Sequence, residues 1–273
     1  MNLNYDEKLL NISIEVKNGE YFHFQNHPSF LPFIGDLFDD SKPGCRILFV
    51  GESHYISNET SVAKVYSRRF QVLSEILESN QKKIDVNSKF ADIWYSKMWN
   101  NNKLKSVLEE NGGASYYQTR NIVDSFTHND YKGRAITMMF GYPLKSYSEN
   151  FTEKGMSMSL VNHSDFNNFL FLNYFQRPSL DTGDSIVNVE LDNNISAKIL
   201  NEAIEILKID HVFILSKKGY DSYINHKNCK YADKVTRLVH PCSRVWSKSD
   251  TVDGLNGKSS AQYLHDFFMA HCK

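Results

Sequence analysis

Four short apolar runs, rich in β-branched and aromatic residues, have the pattern of buried strands. They span residues 47–50, 169–172, 212–215 and 235–239. The first three are continuously apolar, which is typical of parallel strands that helices cover on both faces. The fourth run is interrupted by Thr236 and Arg237, so we expect it to lie at an edge of the sheet.

Apolar positions at helical spacing connect and follow these runs. Between the second and third runs, residues 195–207 carry such a pattern, with Asn193 or Asn194 as the expected cap. A closing amphipathic helix is predicted over residues 259–270. Strands that alternate with helices in this way predict an α/β fold.

The segment from about residue 57 to about residue 160 is longer than a single crossover requires. Helical patterns occur within it at residues 62–77, 90–108 and 116–126, and a mixed stretch follows at 134–142. No low-complexity linker separates this segment from the rest of the chain. We therefore predict a single domain over residues 1–273, a three-layer α/β/α sandwich around a central, mainly parallel four-stranded sheet, with a helical insertion.

The composition is that of an ordinary globular chain, with 41% hydrophobic and 23% charged residues. The first residues lack the basic and apolar stretches of a secretory signal, and no apolar run approaches the roughly 18 residues of a membrane span. We therefore expect a cytoplasmic protein without a membrane partner. A monomer is the expected state, although no sequence feature bears on it.

The cysteines form no C-x-x-C pair, which argues against a zinc or iron–sulfur site. They are Cys45, Cys229, Cys242 and Cys272. We expect reduced, mostly buried thiols, no metal and no cofactor.

The net charge is -1, with 31 lysines and arginines against 32 acidic residues. A dedicated nucleic-acid binder usually has a basic excess, because neutralised phosphates supply much of its affinity. A local basic face is still compatible with this total. Residues 64–69 and 97–105 are basic stretches that offer phosphate contacts, although solvated helix faces have the same composition.

Polar side chains follow three of the four predicted strands. In an open parallel sheet, ligands bind at the carboxyl ends of the strands. The residues found there are Gly51-Glu52-Ser53-His54-Tyr55, then Asn173, then His240-Pro241-Cys242-Ser243-Arg244. Each has a structural explanation as a turn, cap or strand end, but together they converge on one edge of the sheet.

The order of these elements resembles the uracil-DNA glycosylase superfamily: a strand followed by G-E-x-x-Y, a strand that ends in Asn, a helix and strand, and a strand that ends in H-P-x-S. The resemblance covers residues 32–246 in the order of elements. It implies the fold of that superfamily, DNA as the partner, and hydrolysis of the N-glycosidic bond of a deaminated or damaged base of the uracil type.

The resemblance also implies roles for residues that match the motifs. His240 would donate a hydrogen bond to the leaving base, and Asn173 would pair with the polar edge of the flipped base. Tyr55 would form a wall of the base pocket, next to His54. The backbone around Gly51 and Ser53 would hold water or the base. On the DNA side, Ser243 would contact phosphate, and Arg244, Val245 or Trp246 would occupy the position of an apolar wedge.

Three positions depart from the pattern of this superfamily. His54 stands where its members have Pro, Ser53 stands where the fastest members have a water-activating Asp, and Cys242 replaces Ser in H-P-S. Water activation would then come from Glu52 or from the backbone, or would be absent.

Two other functions remain open. Glu52 and His54 resemble the G-E-x-H motif of the erythromycin-esterase and ChaN-like group, in which they would be a general base or metal ligands, completed by His128, His163 or His240. A catalytically reduced member of the glycosylase fold would instead bind nucleic acid or a nucleotide without cleaving it.

Overall fold

The structure is a computed structural model that describes most of the chain. The described residues are 1–16, 19–55, 83–96, 119–130, 133–152, 158–179 and 185–273. The predicted helix at 62–77 and residues 97–108 of the next one lie outside these ranges, and so do both basic stretches, 64–69 and 97–105.

Nine strands are present in the described ranges. They are β1 (Ser13–Val16), β2 (Gly19–Phe22), β3 (Phe33–Ile34), β4 (Ile47–Gly51), β5 (His54–Tyr55), β6 (Leu170–Asn173), β7 (Pro178–Ser179), β8 (His211–Ile214) and β9 (Val235–Arg237). The central sheet has the order β3-β6-β4-β8-β9, while β1 pairs with β2 and β5 with β7. In the central sheet β3 is antiparallel to β6, and the other pairs are parallel.

The α-helices of the described ranges are α1 (Asp6–Leu10), α2 (His23–Asn26), α3 (Lys83–Trp94), α4 (Thr119–Thr127), α5 (Arg134–Tyr147), α6 (Glu190–Ile206), α7 (Lys217–Ile224) and α8 (Ser260–His271). Among them, none is long and apolar enough to cross a lipid bilayer. Three of them, α3, α4 and α5, fall in the predicted helical insertion.

The sheet confirms the four predicted strands and places the fourth, β9, at an edge. The predicted count of four is wrong, because β3 adds a fifth strand and makes the sheet mixed. This strand has two residues, which is too short for a periodic pattern to identify. The predicted cap at Asn193 or Asn194 is also wrong, since α6 begins at Glu190.

Side chains alternate between the two faces of the sheet and form two apolar cores. One core contains Leu48, Val50, Leu170, Leu172, Val212 and Ile214, packed with apolar residues of α6. The opposite core contains Ile47, Phe49, Phe169, Phe171, Phe213 and Leu215, packed with residues of α4, α5 and α8. Helices therefore cover both faces, an arrangement compatible with a three-layer sandwich.

A fully buried ion pair ties the segment after β6 to the start of α6. Arg177 and Asp192 are both 0% exposed, and the guanidinium donates from Nε (2.7 Å) and Nη2 (2.9 Å) to the two carboxylate oxygens. Nη2 also donates to the Asn87 side chain and to the Val187 carbonyl. Asp192 in turn accepts the backbone N–H of Val189, which caps the helix.

A disulfide joins two distant parts of the chain. Cys45 and Cys272 are 227 positions apart in sequence, and their Cα atoms are 5.3 Å apart. The prediction of reduced thiols is therefore wrong for this pair, because a sequence separation of this size carries no signal of proximity. Cys229 and Cys242 are free thiols.

Removal of one partner of the buried ion pair should be strongly destabilising. Asp192→Ala would leave the Arg177 charge buried without compensation, and we expect the free energy of unfolding to fall by about 3–5 kcal/mol. Urea unfolding followed by circular dichroism measures this change. Glu202→Ala is the matched control, because it breaks the partly exposed Lys198–Glu202 pair of the same helix and should cost about 0.3–0.5 kcal/mol. Equal losses in the two variants would contradict the assigned role.

Buried histidines should make the fold sensitive to acid. Burial lowers the pKa of His23 to about 3 and, together with the nearby His271, that of His211 to about 4. Above the ordinary value of 6.5 both side chains are neutral in the folded and unfolded states. As the pH falls below 6.5 the unfolded chain takes up protons that the folded chain excludes, so stability is lost from about pH 6.5 downwards.

The measurement is the free energy of unfolding at several pH values between about 4 and 7. His23→Gln is expected to flatten this dependence most, and His211→Gln less, because the pKa of His211 is displaced by a smaller amount. An unchanged slope in His23→Gln would show that its burial does not contribute to the acid sensitivity.

Candidate functional site

A cleft of about 540 Å³ opens at the carboxyl ends of the central strands. We call it the strand-end cleft. It is lined by Glu52, Ser185, Ser216, Lys217, Lys218, Asp221, Ser222 and His240. Glu52 follows β4, Ser216 follows β8 and His240 follows β9, so three parallel strands deliver polar side chains to one place, as the fold class requires.

Hydroxyl groups hold the Glu52 carboxylate from both sides. Ser216 Oγ donates to Glu52 Oε2 at 2.7 Å, and Ser185 Oγ donates to Oε1. Ser216 is buried and also caps α7, because its oxygen accepts the Gly219 backbone N–H at 3.1 Å. The carboxylate is thus oriented by a residue whose own position is fixed by a helix start.

The hydrogen bonding of His240 defines which of its ring nitrogens can act as a donor. Its Nδ1 accepts the backbone N–H of Cys242 at 3.2 Å. Burial lowers the pKa of His240, an effect that the Glu52 charge partly opposes. A neutral ring whose Nδ1 is an acceptor carries its proton on Nε2. His240 can therefore donate one hydrogen bond from Nε2 without being charged.

Asn173 and Gly51 are paired across β6 and β4. A Cβ atom on Gly51 would lie 2.3 Å from Asn173 Oδ1. The Asn173 amide therefore occupies the space that the side chain of any other residue at position 51 would need. The same position would lie 3.3 Å from Met139 of α5. Asn173 is therefore on the α5 side of the sheet, and among the described residues it does not line the strand-end cleft.

The remaining residues of the first motif are Ser53, His54 and Tyr55. Ser53 is 4% exposed, and its hydroxyl has no hydrogen-bond partner in the described part of the chain. The backbone of His54 and Tyr55 forms β5 beside β7. The side chains of these two residues lie outside the part that the structure describes.

The segment after His240 forms compact turns. The Ser243 N–H donates to the His240 carbonyl at 2.8 Å, and the Trp246 N–H donates to the Ser243 carbonyl at 3.2 Å. Arg244 is exposed. Trp246 is 4% exposed and its ring lies parallel to that of Tyr142, with 6.5 Å between centroids. This burial is at odds with a wedge role for Trp246, and it leaves Arg244 as the exposed candidate.

The histidines considered for a metal site make local contacts. His128 Nδ1 bonds to the Asp124 carbonyl at 2.9 Å, and the His163 ring packs edge-on against Phe126. In the described ranges, no group of three or more His, Cys, Asp or Glu residues is placed to hold a metal ion.

Six residues of the cleft are absent from the sequence-based set, and two of these, Ser216 and Ser185, contact Glu52. Ser216 follows the third apolar run directly, so the rule that selected the other strand ends would also have found it. Ser185 lies in a segment without a periodic pattern, and nothing in the sequence connects it with Glu52. The sequence-based set therefore contained the carboxylate and the imidazole but lacked the groups that orient the carboxylate.

Comparison of the chain with protein-family models, with curated proteins and with solved structures finds no match.

The contact between Gly51 and Asn173 gives a test of the strand-end geometry. Gly51→Ala is expected to push the Asn173 amide out of its place and to destabilise the fold by about 1–3 kcal/mol. Gly219→Ala is the matched control, because its added Cβ would meet only ordinary contacts of 3.4 Å or more. In helix α7 that change should stabilise by up to about 1 kcal/mol. Urea unfolding of both variants, with the NMR signals of the Asn173 amide, distinguishes these outcomes; an unshifted amide in Gly51→Ala would contradict the contact.

Proposed function

We propose that this chain is a divergent DNA glycosylase-like protein that hydrolyses the N-glycosidic bond of a deaminated or damaged base of the uracil type in DNA. The observation that carries the proposal is the pairing of a neutral His240, with its proton on Nε2, and the Glu52 carboxylate in one cleft at the strand ends. The α/β fold with four parallel strands supports it, and the uracil-DNA glycosylase fold is part of the proposal.

The chemistry requires two groups of different character. When the bond between C1′ and the base breaks, negative charge develops on the base and positive charge on the sugar. A neutral N–H donor stabilises the base anion, and this is the role of His240. The carboxylate of Glu52 orients a water molecule, accepts its proton as the oxygen bonds to C1′, and offsets the positive charge of the sugar.

Burial supports a neutral donor at this position. A protonated imidazolium would be disfavoured by loss of solvent, which is the main cause of the lowered pKa of His240. The nearby Glu52 charge opposes this effect without reversing its direction. Ser216 and Ser185 donate to the carboxylate and thereby hold it in one orientation across the cleft.

Asn173 is the proposed reader of the base. It is 9% exposed at the end of β6, in register with Gly51, and its amide can offer both a donor and an acceptor. Because it lies on the α5 side of the sheet, the base would have to reach past the strand end to contact both Asn173 and His240.

A binding role without cleavage is the second candidate, and one observation favours it. Ser53 stands where the fastest members of the resembled superfamily have a water-activating Asp, and here it is buried and uncharged. If Glu52 does not replace that group, the same cleft would hold a base or nucleotide without hydrolysing the bond.

The test is release of the base from oligonucleotides that contain uracil, hypoxanthine or xanthine, single-stranded and mismatched, in the presence of a chelator. Alkali-labile abasic sites are expected with the wild-type chain. His240→Ala should lower the rate by on the order of 10²–10³, the usual effect of losing one donor to a developing anion. Asn173→Ala should weaken activity through loss of base contacts.

His128→Ala is the matched control, because this histidine is largely exposed and its ring contacts its own helix. It should retain full activity. DNA that stays intact at high protein concentration but is bound would favour the second candidate. Activity that the chelator abolishes would favour a metal-dependent hydrolase of the G-E-x-H type.

A further inference from the structure

A second groove lies on the other side of the segment that follows His240. It has a volume of about 500 Å³ and is formed between α5 and residues 242–247. We call it the basic groove. Its lining includes Arg134, Tyr142, Lys145, Ser146, Ser243 and Arg244. Among the described residues that line it, none is an aspartate or glutamate.

The cations of this groove have no carboxylate partner in the described part of the chain, unlike three arginines elsewhere in the fold. Arg46, Arg120 and Arg177 each form an ion pair with an aspartate. Arg134, Lys145 and Arg244 form none within the described ranges, although Lys145 lies 4.9 Å from the centre of the Tyr142 ring. In a chain whose net charge is -1, three uncompensated cations in one groove produce a local positive potential.

Two features of the groove are unfavourable without a ligand. Lys145 is half-buried and has no carboxylate partner in the described part of the chain, and this burial lowers its pKa. Ser146 is fully buried, and its hydroxyl has no hydrogen-bond partner in the described part of the chain. An anion with several oxygen acceptors would compensate the charge and could supply the missing bond.

The groove is elongated along α5. Arg134, Met138, Tyr142 and Lys145 recur at spacings of four, four and three residues, which places them on one face of the helix. Arg134 and Lys145 are eleven positions apart, or roughly 16 Å along the helix axis. Along the axis of B-form DNA each strand carries one charge per about 3.4 Å, so this distance spans several phosphates and exceeds the size of a single one.

The groove shares a wall with the strand-end cleft. The Ser243 N–H donates to the His240 carbonyl at 2.8 Å, and Cys242 Sγ donates to the Ala135 carbonyl of α5 at 3.4 Å. Residues 240–247 therefore connect His240 on one side with Arg244 on the other. A strand whose target nucleotide entered the cleft would continue across this wall into the basic groove.

We propose that the basic groove, with Arg134 and Lys145 of α5 and Arg244 opposite, binds the phosphate backbone of a nucleic-acid strand. Arginine, lysine and hydroxyl side chains are the usual phosphate contacts. The inference rests on the proposed function for the choice of DNA as the strand, and it adds a helix that the sequence motifs did not include. Arg134 and Lys145 touch phosphate only, so they bind without reading sequence.

The test is binding of a fluorescently labelled single-stranded oligonucleotide that contains no damaged base, measured by anisotropy between about 50 and 200 mM salt. Arg134→Gln combined with Lys145→Gln should weaken binding at least about tenfold at the lower salt concentration. The slope of log affinity against log salt should fall by about 0.7 for each lost contact. Lys8→Gln combined with Lys227→Gln removes the same charge from exposed positions outside the groove and should leave both quantities near the wild-type values.

Equal weakening in the two double variants would overturn the groove as the binding site. Displacement of the oligonucleotide by polyglutamate as effectively as by unlabelled DNA would overturn nucleic acid as its ligand. The test does not depend on catalysis. If the wild-type chain released no base but its binding still depended on the groove, the groove would stand as the binding site and the glycosylase proposal would fail. A groove variant that still released the base and bound the oligonucleotide as tightly as the wild type would support the glycosylase proposal and overturn the groove as the binding site.

Discussion

The buried Arg177–Asp192 pair fixes the path of the chain after β6, and the geometry of the strand ends depends on that path. Transfer of two charges from water to the interior costs several kcal/mol for each ion. Here the guanidinium donates to both carboxylate oxygens, to Asn87 and to backbone carbonyls, so each of its three nitrogens has an acceptor. The cost is offset only in this one arrangement. It therefore selects a single conformation for residues 174–179 and a single start for α6.

The strand ends follow from this constraint. The backbone N–H groups of Tyr174 and Phe175 donate to the carbonyls of Gly51 and Glu52, which continues the parallel pairing beyond β6. Asn173 and Glu52 are thereby held on opposite faces of the same sheet edge. The segment after β9 bridges these faces, because His240 lies in the strand-end cleft while Ser243 and Arg244 line the basic groove.

The sequence predicted those parts of the fold that are encoded by local pattern. The four apolar runs correspond to β4, β6, β8 and β9. The polar residues that follow these strands include Glu52 and His240, which both line the strand-end cleft. Two-residue β3 was missed because it is too short to have a period. The α6 cap was placed too late, because Asp192 caps from within the helix while Asn193 and Asn194 follow it.

Contacts between distant segments account for the other differences. The Arg177–Asp192 pair, the bond from Ser185 to Glu52 and the disulfide each join residues that no local pattern relates. Trp246 illustrates the same limit, since an aromatic residue after H-P-x-S could be exposed or buried, and only the packing against Tyr142 places it in the core. Pattern identifies which residues end a strand, whereas tertiary contacts decide which way they face.

The disulfide changes the covalent topology of the oxidised polypeptide. The bond between Cys45 and Cys272 closes a covalent ring that contains β4, β6, β8, β9 and every described helix from α3 to α8. Residues 1–44 lie outside the ring, and the pairing of β3 with β6 and the Asp6–Arg120 ion pair are among the contacts that hold this segment against it. A single backbone cut within the ring leaves one covalent molecule, whereas the same cut in the reduced chain gives two fragments held only by packing.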